Sequence, residues 1–235
     1  MMIRAGSFSR IDDFESCKKR AELKYVHKIP EPDRGPPPNG KEWANDRGSR
    51  IHDEAERYVK GEADTIPIEA KDFATELQRA REFYAADDAV TEEMWCYTDS
   101  WEPCDSRDFA NTVFRIKTDL TVFRSEVELT IVDYKTGRRF GNEAKHAQQL
   151  ILYAVGAALL YPAVEHIITE LWYFDQNELV DMQFTREQAL RFLKGWNDRN
   201  RTMLECTEFP ANPSKQTCKW CPYGPRGTGH CAQGV

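Results

Sequence analysis

The chain has no apolar h-region at its start: Met1-Met2-Ile3-Arg4-Ala5-Gly6 is too short and too polar for a secretory signal. Its longest apolar run, Leu150 to Pro162, contains Gly156 and falls short of the roughly 20 residues a membrane span needs. Both absences predict a soluble protein of the cytoplasm. There is no cationic excess either. With 32 Lys and Arg against 39 Asp and Glu the net charge is −7, which excludes a protein that coats nucleic acid by bulk charge. Basic surface is confined to Lys18-Lys19-Arg20, Lys135 to Arg139 and Arg191 to Arg201, the last read as solvated charge on a helix face. No G-x-x-x-x-G-K-S/T loop is present, so the chain carries no phosphate-loop motor. No internal repeat and nothing resembling a dedicated RNA module occurs.

At 235 residues and 40% hydrophobic content the chain fills the core of one large domain with at most a small attachment. Helical patterns occupy 7–27, 42–60, 70–86, 142–160 and 185–205, and strand patterns 91–99, 110–124, 127–134, 166–174 and 179–184. Pro30, Pro32, Gly35, Pro36, Pro37, Pro38 and Gly40 make the first long connection a loop. Mixed strands and helices predict an α/β fold around a central mixed sheet. The seven cysteines, an odd number in such a compartment, are not a disulfide framework. Cys96, Cys104 and Cys206 read as buried small residues. Cys218, Cys221 and Cys231 lie in a tail from 209 to 235 that is too poor in apolar residues to fold alone, and a metal would supply the missing stability. Either His230 completes a local Cys₃His zinc site or Cys17 ties the two ends of the chain together.

The run Ile131-Val132-Asp133-Tyr134-Lys135-Thr136-Gly137 ends an apolar strand in an acid, a spacer and a lysine. A hairpin of 110–124 with 127–134 brings Asp119 to Asp133, because matching positions on paired strands share a face. Two carboxylates attract a divalent cation, and a neighbouring ammonium can hold a water and offset developing charge. On the helix at 42–60, Gly48, His52 and Glu56 fall on one stripe. Gly48 is unfavourable there by about 1 kcal/mol relative to Ala and marks close approach of another element. A neutral imidazole on that stripe suits a metal, Mn²⁺ in particular. Lys145, Gln149 and Tyr153 form a second stripe, read as lying opposite the apolar Leu150, Val155 and Leu159. Only Gln149, not its neighbour Gln148, has a Tyr four residues on.

Taken together, these segments resemble the PD-(D/E)XK nuclease superfamily, in particular its RecB-type exonuclease branch. Asp133-Tyr134-Lys135-Thr136-Gly137 is similar to that branch's D-Y-K-T-G signature, with Asp119 in the place of its first acid. Gly48, His52 and Glu56 match its G-x-x-x-H-x-x-x-E helix, Gln149 and Tyr153 its Q-x-x-x-Y helix, and Cys17 with Cys218, Cys221 and Cys231 its cysteine staple.

The resemblance implies a restriction-endonuclease-like core over 1–208, with the 209–235 tail packed back on the N-terminal helix. It implies Mg²⁺ or Mn²⁺ held by His52, Asp119, Asp133 and the Tyr134 carbonyl, with Lys135, Gln149 and Tyr153 completing the catalytic set and Glu56 either orienting a ligand or simply exposed. It implies a 4Fe–4S cluster on the four cysteines, although Cys221 and Cys231 stand further apart than in the usual pattern, which leaves zinc open. The implied activity is hydrolysis of DNA phosphodiester bonds at single-stranded ends in recombination, repair or phage DNA processing, in the host cytoplasm if the chain is phage-encoded. A helicase or recombination protein would then supply the motor. A structure-specific endonuclease, or a noncatalytic DNA-binding or assembly subunit on the same scaffold, are the alternatives. Intact Asp119, Asp133 and Lys135 count against the last.

Overall fold

The computed structural model describes residues 2–33, 35–37, 41–137 and 139–235. Of the residues used in the sequence reading, Met1, Pro38, Gly40 and Arg138 lie outside these. Ser7 starts α1 (Phe8–Ser16): it is extended, and its Oγ accepts from the Arg10 N–H at 3.4 Å. Such a cap stabilises a helix by about 1 kcal/mol. The helix expected over 7–27 is broken at Cys17, whose φ of −161° cannot continue it. A short α2 (Lys18–Ala21) and a π-turn (Glu22–Val26) follow. Buried Asp13 ties these pieces together through Arg20, Lys24 and Tyr25. In α3 (Ala44–Val59), Ile51, Ala55 and Val59 form the buried stripe. A 3₁₀ turn (Ile68–Phe73) leads into α4 (Ala74–Ala85), so the expected 70–86 helix tightens at its start.

The two long strands expected early in the chain are each divided. Residues 91–99 become β1 (Ala89–Thr91) and β2 (Met94–Tyr97), and a short β3 (Pro103–Cys104) follows. Residues 110–124 become β4 (Phe114–Lys117) and β5 (Leu120–Phe123). The division has a topological reason: β2 and β4 pair in a small sheet of order β3-β2-β4, whereas β1 and β5 pair in the main sheet. Both segments cross between sheets at the same place, Glu92-Glu93 against Thr118-Asp119, where the N–H of Glu92 reaches the Asp119 carbonyl and that of Thr118 the Glu93 carbonyl, each at 3.0 Å.

The main sheet continues through β6 (Glu128–Lys135), β7 (His166–Tyr173) and β8 (Glu178–Thr185) in the order β1-β5-β6-β7-β8. Only β6 and β7 are parallel, joined by the crossover helix α5 (Glu143–Leu160). Strand β6 is buried on both faces, which explains its unbroken apolar run. Leu129 and Ile131 pack with α1 and α5, while Val132 and Tyr134 pack with α3 and α4. Helix α5 is itself covered twice. The Tyr97 hydroxyl donates to the Gly156 carbonyl at 2.9 Å, and a Cβ at Gly156 would come within 2.5 Å of Ile116, so the small sheet closes on the helix where β7 does not. Beyond β8, a Thr185/Gln188 capping box opens α6 (Arg186–Leu190). It is separated from α7 (Leu193–Leu204), so the expected 185–205 helix is also two pieces. The tail holds α8 (Lys215–Cys218) and reaches back to the N-terminal region: Tyr223 donates to the Ile29 carbonyl at 3.1 Å and the Asn212 amide to the Ser16 carbonyl at 3.1 Å. No described helix is long and apolar enough to cross a membrane.

Candidate active site

Register places the two acids. The β5–β6 ladder pairs Leu120 with Val132, so one step further Asp119 stands opposite Asp133. Asp119 is anchored there because its Oδ2 accepts from the Tyr134 N–H at 2.7 Å. Alternation along β6 then sends Asp133 and Lys135 to the α5 side and Tyr134 to the α3 side. The Tyr134 ring lies edge-on to His52, centroids 5.6 Å apart.

Two groups of side chains result. In the first, His52, Glu92 and Asp119 each offer a ligand atom within 4.8 Å of the others, and His52 Nδ1 is 3.4 Å from Asp119 Oδ2. Burial opposes protonation of His52, but the Asp119 hydrogen bond and the charges of Asp119 and Asp133 outweigh it, and its pKa lies above the usual histidine value. Two carboxylates and an imidazole at this spacing could hold a divalent cation. Glu92 is the member that sequence reasoning missed. Its φ of +53° is the available signal, and that is backbone conformation, invisible in a strand-like run. Glu56 is outside the group; it holds the neighbouring Thr91 hydroxyl at 3.3 Å and Lys60 at 2.6 Å.

The second group surrounds Asp133, which is 5% exposed. Its Oδ1 accepts from the Tyr153 hydroxyl at 2.5 Å and the Gln149 amide at 2.9 Å. Lys135 Nζ lies 2.5 Å from Oδ2 and donates to Gln149 Oε1 at 2.9 Å. Oδ2 is buried and has no aligned donor among the described residues despite that close ammonium. Burial raises the Asp133 pKa; the Lys135 charge opposes this and Asp119 adds to it. Tyr153 is held neutral, its pKa well above normal through burial and the Asp133 charge. Here the sequence expectation needs correction. The Lys145-Gln149-Tyr153 stripe does not lie opposite the apolar side, because Tyr153 turns toward β6, bonds Asp133 and is only 3% exposed within the core. Lys145 instead pairs with Asp12 of α1 at 2.7 Å. Gly48 behaves as expected: a Cβ there would lie 3.1 Å from Thr136 Oγ1, so α3 packs against the loop that follows Lys135.

A sequence model of the PD-(D/E)XK nuclease superfamily matches residues 5–226. The chain belongs to this superfamily. The mixed sheet flanked by helices is the restriction-endonuclease-like fold expected of a PD-(D/E)XK protein. Solved structures that are similar to it include two with nearly full coverage. One, from Eubacterium rectale and named "Putative exonuclease", is 13% identical with a TM-score of 0.51, covering 94% of this chain and 88% of its own. The other, named SSO0001, is 13% identical with a TM-score of 0.48, covering 99% and 88%. No curated protein is similar enough in sequence to match.

In this PD-(D/E)XK protein the free thiols of Cys17, Cys218, Cys221 and Cys231 line one cavity between α2 and the tail, and His230, which is exposed, does not line it. The Cys17 thiol accepts from the Asn212 N–H at 3.5 Å. Four thiols on one cavity suit a group that takes thiolate ligands, and no three of them lie within 4.8 Å of one another, wider than a tetrahedral zinc ion requires. Of the remaining cysteines only Cys96 is buried; Cys104 and Cys206 are half-buried. The expected basic segments are largely neutralised: Lys19 pairs with Glu22, Arg20 with Asp13, Arg139 with Glu178, and Arg191, Lys194, Arg199 and Arg201 each with a nearby acid.

Proposed function

We propose that the protein is a Mg²⁺- or Mn²⁺-dependent deoxyribonuclease of the RecB-type branch, an exonuclease that hydrolyses DNA from single-stranded ends during recombination, repair or phage DNA processing. The observation that carries this reading is the adjacency of the His52-Glu92-Asp119 group to Asp133 and Lys135 across one strand register. His52, Glu92, Asp119, the Tyr134 carbonyl and Asp133, through its Oδ2, are the residues to hold metal. A bound divalent cation supplies a water of lowered pKa and polarises the scissile phosphate. Lys135 orients the attacking water and offsets the charge that develops on the phosphoryl oxygens. Its ammonium lies 2.5 Å from Asp133 Oδ2. Gln149 and Tyr153 fix both partners, so the acid and lysine need not reorganise as charge develops. Glu56 holds Thr91, the last residue of β1 and the one before Glu92. Cys17, Cys218, Cys221 and Cys231 hold a 4Fe–4S cluster that joins the tail to the N-terminal region, and the absence of His230 from the cavity favours this over a Cys₃His zinc site.

The deciding assay offers purified protein end-labelled linear and covalently closed circular single strands, with duplex DNA and RNA in parallel, in Mg²⁺ or Mn²⁺. Stepwise loss from linear single-stranded DNA is the expected result. Cutting of closed circles would make the enzyme an endonuclease, and no cleavage of any substrate with either metal would refute the reading.

A further inference from the structure

The structure gathers cations at a place where the sequence has no basic segment. A cleft of about 340 Å³ is lined by Arg10 and Ser9 of α1 and by Arg115 and Lys117 of β4, and Gln149 and Tyr153 of α5 form part of its wall. No acidic residue lines it among the described residues, although the chain as a whole is acidic. The cleft is continuous with the acid site at two points. Gln149 and Tyr153 both bond Asp133, and Lys117 lies two residues before Asp119 and pairs with Glu92.

Among the described residues neither guanidinium has a carboxylate partner. Arg10 donates to the Ala5 carbonyl at 2.7 Å, and Arg115 lies over the Phe109 ring at 5.4 Å while its buried Nε has no hydrogen-bond partner among the described residues. Burial lowers the Arg10 pKa, Tyr25 opposes this, and the Arg115 charge lowers it further, so the two cations disfavour each other. Guanidinium forks suit phosphate oxygens in particular. A lining of donors and cations without carboxylates reads backbone rather than base edges.

We propose that this cleft binds the phosphodiester backbone of a single DNA strand next to the linkage at Asp119 and Asp133, with Arg115 the principal phosphate contact. The identity of the strand rests on the nuclease reading above, but its binding does not require cleavage. A strand entering here is held by charge, independent of sequence, and delivered along Gln149 and Tyr153 to Lys135.

The test is fluorescence anisotropy of a labelled oligodeoxythymidylate in EDTA, where metal-dependent cleavage does not proceed, over a series of salt concentrations. Arg115→Gln should weaken binding about tenfold, the loss of one charge-assisted contact, and flatten the salt dependence by about 0.7 in log–log slope, the increment for one phosphate on a single strand. Arg115→Lys should restore the slope. Ser9→Glu, an exposed position on the first turn of α1, should weaken binding through repulsion, and it decides the matter if thermal melting shows Arg115→Gln to be unfolded. Wild-type affinity and slope in folded Arg115→Gln and Ser9→Glu would overturn the proposal, even if the wild type cleaves DNA. A wild type that binds with the expected slope, loses it in Arg115→Gln, and cleaves nothing with Mg²⁺ or Mn²⁺ would support the cleft and refute the nuclease reading alone.

Discussion

Tyr153 donates a 2.5 Å hydrogen bond to Oδ1 of Asp133, the same oxygen that accepts from Gln149, while Lys135 occupies the side of Oδ2. The acid is therefore held from a buried helix as well as from its own strand. Removing these partners affects stability and catalysis in different proportions.

Tyr153→Phe keeps the ring and loses the hydrogen bond, and should cost about 2 kcal/mol, the scale for a bond to a charged group. Tyr153→Ala adds a cavity and should cost about 4 kcal/mol. Urea denaturation separates the two. Equal, near-zero costs would place the phenol outside the core.

Lys135→Ala leaves a buried carboxylate without its ammonium and should destabilise by about 3 kcal/mol, more than Asp133→Asn, which removes the charge together with its need for a partner. On the nuclease reading each variant should cleave at least about a hundredfold more slowly than wild type. Wild-type cleavage by both folded variants would move the chemistry away from β6.

Glu92→Gln and His52→Ala should each weaken Mn²⁺ binding by at least about tenfold, read directly by the electron paramagnetic resonance of free Mn²⁺. An unchanged affinity in both would mean that the cation sits elsewhere.

His146, whose Nδ1 lies 2.5 Å from the Tyr173 hydroxyl, has its pKa lowered to about 4 by burial and by the Lys135 and Lys145 charges. The unfolded chain takes up this proton near its ordinary value of about 6.5, before the folded protein does. Stability should therefore be intact above pH 6.5 and decline as pH falls from there toward 4. His146→Gln should flatten the urea midpoint over that window. An equally steep decline in the variant would assign it to other groups.

On the cluster reading, anaerobically purified protein should be brown, with broad visible absorption from thiolate-to-iron charge transfer. Cys17→Ser should bleach it and make the 209–235 tail sensitive to protease, although the substitution lies at the other end of the chain. A colourless protein with one zinc per chain, indifferent to Cys17→Ser and disrupted by His230→Ala, would replace the cluster with a local zinc site.

What could be read from the sequence were features that depend on neighbours within one element. The apolar run into Asp133-Tyr134-Lys135 identifies a strand, which the fold buries on both faces, and a period of two is enough to put the acid and the lysine on one side of it. The i, i+4 spacing of Gly48, His52 and Glu56 puts them on one stripe of α3, and the glycine proves to be where the Thr136 loop approaches. Periodicity carries no information about what covers a face. Tyr153 is buried because its side of α5 meets the main sheet, where its hydroxyl reaches Asp133, while a second sheet built from residues far upstream closes on the same helix at Gly156. Glu92 meets Asp119 because β1 pairs with β5 just where the chain passes from one sheet to the other, forcing a left-handed residue that no local pattern marks. The cations of the cleft, dispersed along α1 and β4, become a site only when Gly6 pairs with Phe114 and brings those two segments side by side. Such contacts are decided by strand pairing between distant segments, where the entropy of closing the intervening chain is set against burial gained across the whole core, and that balance exists only in the folded molecule.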